Sequence, residues 1–148
     1  MTVPRGTLDW TEIQVGDELP MLEIAVTATV VVAGAIATRD FMPVHHDRNY
    51  ANSQGAPNIF MNIMTDNGYC SRFLTDWAGP EAMVKRLAIR LGVPSYAGST
   101  LVYSGTVTGK SQVDGEGIVE VAFKATNDQG DHLSGTAALG LPIRGGSQ

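Results

Sequence analysis

Over residues 59–77 the apolar side chains Ile59, Phe60, Ile63, Met64, Cys70, Phe73, Leu74 and Trp77 recur mostly at three- and four-residue spacing, and no later stretch repeats that period. A chain with one such stretch must bury its apolar stripe against something other than a second long helix. The spacing predicts a helix over residues 59–77, roughly 28 Å long at about 1.5 Å per residue. Asn58 is its expected N-cap, and Ala78-Gly79-Pro80 its stop. Asp66, Asn67, Arg72 and Asp76 give it a polar side. Gly68 inside it costs about 1 kcal/mol against alanine, a cost that close packing against a strand would justify.

The second half of the chain reads as strands. Leu87, Ile89 and Leu91 alternate with Arg86, Ala88 and Arg90. Residues 101–108 are rich in β-branched and aromatic types. Val119, Val121, Phe123 and Ala125 alternate with Glu120, Ala122, Lys124 and Thr126, and residues 132–143 form the last strand. Asp114-Gly115-Glu116-Gly117 and residues 127–131 are turns. Upstream, residues 1–21 are a lead-in and residues 22–29 alternate as a half-buried strand. Residues 30–38 suit a short helix, with a strand as the alternative. A sheet of three or four antiparallel strands curved around one helix satisfies both apolar surfaces. That arrangement is the α+β hot-dog fold. It is expected as one domain over residues 1–148, with residues 144–148 a loose tail. Its exposed sheet edges favour pairing with a second subunit, a different chain or otherwise a second copy of this one as a homodimer.

Composition narrows the function. With 43% apolar and 17% charged residues the 148-residue chain is globular rather than disordered. Its formal net charge of −5 and scattered basic residues speak against nucleic acid as a partner. The single cysteine, Cys70, permits no intrachain disulfide and fits a reducing compartment. The N-terminus lacks the apolar core of a secretory signal, and the longest apolar run, residues 30–37, is too short to span a bilayer. A cytoplasmic protein with no membrane association is expected.

The chemistry concentrates in Arg39-Asp40-Phe41-Met42-Pro43-Val44-His45-His46-Asp47. Pro43 fixes its own φ and biases Met42 away from helix, so Asp40 and His45 lie on a bent loop. Such a loop can aim a carboxylate and an imidazole at one water molecule, the layout for general acid–base work. Taken alone, Asp40 could equally be a cap and His45 a structural histidine. His46, next to His45 on extended chain, should point the other way, and Asp47 is read as orienting the loop. A metal site from His45, His46 and Asp47 has poor ligand geometry, and no distant cluster completes it. Cys70 falls on the apolar stripe and reads as core. His132 follows a turn and is assigned no role.

Asp40-x4-His45-x-Asp47-x3-Ala51, with Pro43 two residues before His45, resembles the hydratase motif of the MaoC-like, (R)-specific enoyl-CoA hydratase family, D-x-N-P-(I/L/V)-H-x-D-x3-A. Trp10-Thr11-Glu12-Ile13-Gln14-Val15-Gly16-Asp17 is similar to that family's opening segment. Arg90-Leu91-Gly92-Val93-Pro94-Ser95-Tyr96-Ala97-Gly98-Ser99-Thr100 is similar to its strand and loop R-F-x-x-P-V-x-x-G-D-T. Met42 stands where the family has asparagine. In the I-A-H-G-M-L helix start, Met61 stands for histidine and Asn62 for glycine. These departures, with Thr75-Asp76-Trp77-Ala78-Gly79-Pro80, resemble a narrower subgroup. There a small hot-dog subunit pairs with a second MaoC-like subunit to hydrate steroid side-chain enoyl-CoA esters in actinobacterial cholesterol catabolism.

The resemblance implies catalysis by Asp40 and His45, with Pro43 and Asp47 in support. It implies an oxyanion site at the backbone N–H groups of Asn62 and Ile63, and an acyl pocket near Met61 and Met64. Asn62 would approach the thioester carbonyl or narrow the acyl tunnel. The substrate is an acyl-CoA, and no metal or further cofactor is implied. The competing readings are a non-catalytic scaffold subunit, a 3-hydroxyacyl dehydratase subunit, and a thioesterase on the same fold with Asp66 as its acid.

Overall fold

The central helix forms, but it starts four residues later than the apolar spacing suggests. In the computed structural model, which describes residues 6–145, α3 runs Ile63–Ala78. Residues 59–61 are instead extended against the 95–97 segment. Phe60 bridges Tyr96, Met61 N–H donates to Ser95 O at 3.0 Å, and Ala97 N–H donates to Ile59 O at 2.9 Å. The N-cap is Asn62, whose Oδ1 accepts from Thr65 N–H at 3.1 Å, not Asn58, whose Nδ2 donates to Ala97 O. Asn62 followed by Asp66 in the first turn is the stronger start signal.

Before α3 come β1 (Glu18–Ala25), α1 (Ala28–Ala37), a 3-10 turn (Pro43–His45) and the short α2 (Arg48–Ser53). The half-buried alternation expected at residues 22–29 belongs to β1, which begins at Glu18 and stops at Ala25. Thr27 then accepts from Val30 N–H and opens α1, so residues 30–37 are helical rather than extended. After α3 come β2 (Met83–Leu91), β3 (Thr100–Val113), β4 (Glu116–Asn127) and β5 (Gly130–Leu141).

The sheet has five strands rather than three or four, all antiparallel, in the order β1-β3-β4-β5-β2. β3, β4 and β5 are the expected meander. β1 adds to the β3 edge, and β2 lies beside β5 at the far edge, so residues 92–99 carry the chain across to β3. That crossing segment is tied down by Gly98 N–H to Val26 O at 2.7 Å and Val26 N–H to Ser99 O at 2.9 Å, besides its bonds to residues 59–61.

Cys70, Phe73, Leu74 and Trp77 form the buried stripe of α3, at spacings of three, one and three. Phe73 meets Tyr103 and Phe123 with ring centroids 5.7 and 6.4 Å apart. Burying each such side chain contributes about 1.5–3 kcal/mol. Burial, reinforced by the charge of Asp66, pushes the Cys70 thiol up to about 12, which leaves it an inert core group. A side-chain carbon at Gly68 would meet no atom within 4 Å, so this glycine is not explained by packing on a strand. The close approach is at Gly34 on α1, where such a carbon would lie 2.3 Å from Thr65 Oγ1.

At the chain ends, Trp10 Nε1 donates to Ile118 O at 3.1 Å, and Arg144 is held by Asp9, which accepts its backbone N–H at 3.1 Å, and by an ion pair to Glu81. The tail expected as loose is therefore anchored at Arg144. Residues 1–5 of the lead-in and 146–148 of the tail lie outside the described residues. Among the described residues no helix is long and apolar enough to cross a membrane.

Candidate active site

Asp40 sits where it does because α1 ends in a left-handed turn. Arg39 has φ 57°, Arg39 N–H donates to Ile36 O at 3.0 Å, and Asp40 N–H donates to Ala35 O at 2.9 Å. This is a Schellman ending with arginine at the position usually given to glycine. The chain then bends at Met42, which is extended with φ −63° and ψ 124° as a residue before proline should be, and Pro43 opens the 3-10 turn. Asp47 accepts from Tyr50 N–H at 3.0 Å and caps α2, closing the loop.

The turn brings Asp40 and His45 together. His45 Nε2 lies 3.3 Å from Asp40 Oδ2. His45 Nδ1 lies 2.7 Å from Phe60 O. A carbonyl only accepts, so Nδ1 carries a proton, and Nε2 is the ring nitrogen turned toward Asp40. The Phe60 ring backs the imidazole edge-on at 5.1 Å, and Tyr96 backs Phe60 in the same way at 6.0 Å. His45 is 7% exposed, whereas His46, which faces away, is exposed.

Asn62 links this loop to α3. Its Nδ2 donates to Asp40 Oδ2 and to Thr38 Oγ1, each at 2.9 Å. Its Oδ1 accepts from Thr65 N–H and, at 2.5 Å, from Thr65 Oγ1. Every hydrogen-bonding position of this 3%-exposed amide is in use within the protein. The Asn62 amide, then the Met42 N–H at 3.2 Å and the neighbouring His45, hold the Asp40 carboxyl below the usual carboxylate range against the opposing effect of burial. The sequence gives Asn62 and Thr38 no such role, because the three residues that Asn62 ties together come from three different elements.

The first N–H groups of a helix have no partner within it. Among the described residues none of the hydrogen bonds uses the N–H groups of Asn62, Ile63 or Met64, and these open beside the pair. Ile63 and Met64 are 48% and 54% exposed, as are Phe41 at 65% and Met42 at 48%, so the pair has an apolar rim. Met61, at 4%, belongs to the core and not to that rim.

A second Asp–His pair lies behind the first. His132 Nε2 is 2.9 Å from Asp66 Oδ1, and His132 Nδ1 is 2.7 Å from Val93 O. Both ring nitrogens face acceptors, which favours the doubly protonated ring. Burial alone would lower its pKa, but the bond and charge of Asp66 and the Val93 carbonyl raise it. Asp66 is fully buried, which removes it as a thioesterase acid facing substrate. His132 was invisible in the sequence because it sits at a β-bulge. Ala125 pairs with Leu133 and Thr126 with Asp131, which leaves His132 as the extra residue. It therefore points inward with Leu133.

No protein-family model matches the chain. It is 45% identical over 127 residues to the beta subunit of 3-oxo-4,17-pregnadiene-20-carboxyl-CoA hydratase from Mycobacterium tuberculosis, covering 86% of this chain and 95% of that one. It superposes on a chain of the ChsH1–ChsH2 complex from Mycobacterium tuberculosis with a TM-score of 0.80 and 45% identity, over 86% of this chain and 98% of the other. The R-hydratase PhaJ1 from Pseudomonas aeruginosa matches with a TM-score of 0.82 at 20% identity, over 92% of this chain and 86% of that one, a likeness of fold alone. The likeness to the mycobacterial hydratase subunit spans nearly the whole of both chains, and the chain belongs to the MaoC-like hydratase family of hot-dog proteins.

Proposed function

We propose that this chain is the catalytic subunit of an enoyl-CoA hydratase that adds water to the trans-2-enoyl thioester of a steroid side chain. The observation that carries this is the unbroken series of contacts from Thr38 and Asn62 through Asp40 to His45 and Phe60 O, which holds a carboxylate and an imidazole nitrogen 3.3 Å apart at an open, apolar-rimmed surface.

The division of labour follows from charge. A carboxyl held below its usual range stays ionised and is a weak base, so Asp40 orients the water and stabilises positive charge beside it. His45 Nε2 takes a proton from the water as its oxygen bonds to the β-carbon. The electron pair of the alkene moves to the α-carbon and the thioester oxygen. The N–H groups of Asn62, Ile63 and Met64 supply donors for that enolate oxygen at the positive end of α3. The imidazolium, facing Asp40, then returns the proton to the α-carbon. Run backward, the same groups expel water from a 3-hydroxyacyl-CoA. The scheme draws on no metal or redox cofactor, CoA being part of the substrate. Positioned proton transfer of this kind contributes ~10²–10⁴-fold.

The beta-subunit name of the relative and the complex in which its structure was solved support a heteromer with a second MaoC-like subunit. So does β2, an edge strand that leaves Met83 and Leu91 59% and 42% exposed. The test is loss of enoyl absorbance with a steroid side-chain enoyl-CoA in wild type and Asp40→Asn, each with the partner subunit. Turnover abolished by Asp40→Asn in an intact complex is expected. Turnover unchanged by it would leave this chain a scaffold.

A further inference from the structure

The space between α3 and the sheet is full. Cys70, Phe73 and Leu74 on the helix and Leu101 and Tyr103 on β3 are wholly buried, so a bulky acyl group has no room on that side. The opposite side of α3 is open. Between α1 and α3 runs a groove of about 500 Å³ whose lining includes Val30, Ala33, Thr38, Met64, Gly68 and Tyr69. That volume lies in the ~300–1,000 Å³ range of small-molecule sites.

Two features connect the groove to the reaction. Thr38 lines it, and the Thr38 hydroxyl receives one N–H of the Asn62 amide whose other N–H holds Asp40. Groove and catalytic pair are thus one side chain apart. Gly68 faces it with no atom within 4 Å of where a side-chain carbon would stand, so no packing contact demands glycine there. Arg72, the one charged residue in the lining, is paired with Asp76 at 3.2 Å.

We propose that this groove seats the fused-ring hydrocarbon body of the substrate, and that Gly68 and Ala33 set the room available to it. The enoyl end lies on Asp40 and His45, and the ring body lies along α1 and α3. Small residues on both helices leave an apolar cleft for a flat, rigid body, and the thioester carbonyl reaches the N–H groups beside Met64 from the same end. The proposal rests on the hydratase reading above and adds the place and size limit of the acyl group.

The experiment is calorimetric titration of the complex with its partner subunit, using a saturated tetracyclic acyl-CoA, so that binding is read without turnover. Gly68→Leu and Ala33→Leu should each weaken binding by ~10–200-fold, the range for crowding an apolar pocket. Gly68→Ala should fall between them and wild type. Wild-type affinity in both leucine variants would overturn the proposal. Failure of both to assemble, while Gly68→Ala assembles, would assign the groove to the partner subunit and overturn it as well. A wild-type complex that binds no tetracyclic ester would instead sink the substrate reading on which the proposal stands.

Discussion

Asn62 caps α3 with its side-chain oxygen and holds Asp40 with its side-chain nitrogen. One amide thus fixes both the start of the helix and the protonation state of the loop carboxylate. Asn62→Asp separates the two tasks. Aspartate caps as well as asparagine, but it places a second carboxylate against Asp40 and removes the donor. The helix should form, while the Asp40 pKa rises. The acid limb of the kcat/KM profile should then move to higher pH relative to wild type. An unmoved limb with reduced activity would mean that Asn62 acts only on structure.

The buried Asp66–His132 pair should make stability fall on the alkaline side. His132 has a folded pKa raised above its unfolded value of about 6.5. Its contribution is therefore complete below that value and is lost as pH rises through the folded pKa. The urea midpoint of wild type should drop on going from pH 6 toward pH 9 by more than that of a variant without the pair. His132→Phe leaves the Asp66 carboxylate buried without its counter-charge and should cost about 3–5 kcal/mol.

Gly34→Ala and Gly68→Ala should have opposite signs although both sit in helices and both add one methyl group. At Gly34 the new carbon would lie 2.3 Å from Thr65 Oγ1, which is itself bonded to Asn62, so α1 and α3 must separate. A cost of about 1–3 kcal/mol is expected. At Gly68 nothing is met, and the helix should gain about 1 kcal/mol. Thermal unfolding of the two variants, read side by side, checks the pair of signs.

Arg39→Gly should stabilise. Arginine in the left-handed region costs about 1–2 kcal/mol, and glycine returns part of that in chain entropy. The melting temperature should rise by a few degrees with turnover retained, because the turn that aims Asp40 is preserved. A fall in melting temperature would show that the Arg39 side chain contributes more than its backbone costs.

Much of this was legible in the sequence, since alternation marked β2 and β4, β-branched and aromatic composition marked β3, and Pro43 marked the bend that joins Asp40 to His45. What was not legible has a common cause. Ile59 and Phe60 carry helical spacing, yet they lie extended because Tyr96 and Ala97, thirty-odd residues on, supply their backbone partners. Asn62 reads as a helix-start residue, and only the fold brings Thr38 and Asp40 to it. Close packing is expected at Gly68 but occurs at Gly34, because which glycine meets another helix depends on a crossing that no local pattern encodes.

The bulge in β5 has a consequence for what this chain can tolerate in its last turn. It is a one-residue dislocation between β4 and β5, and it alone turns His132 inward beside Leu133. Removing one residue between Gly130 and His132 would restore regular pairing and rotate the imidazole to solvent. A carboxyl in the first turn of α3, 66 positions earlier in the chain, would then be left buried without its partner. The aspartate on the helix and the count of residues in that distant turn are thus a single inherited unit, and a deletion there is a charge mutation at the centre of the protein.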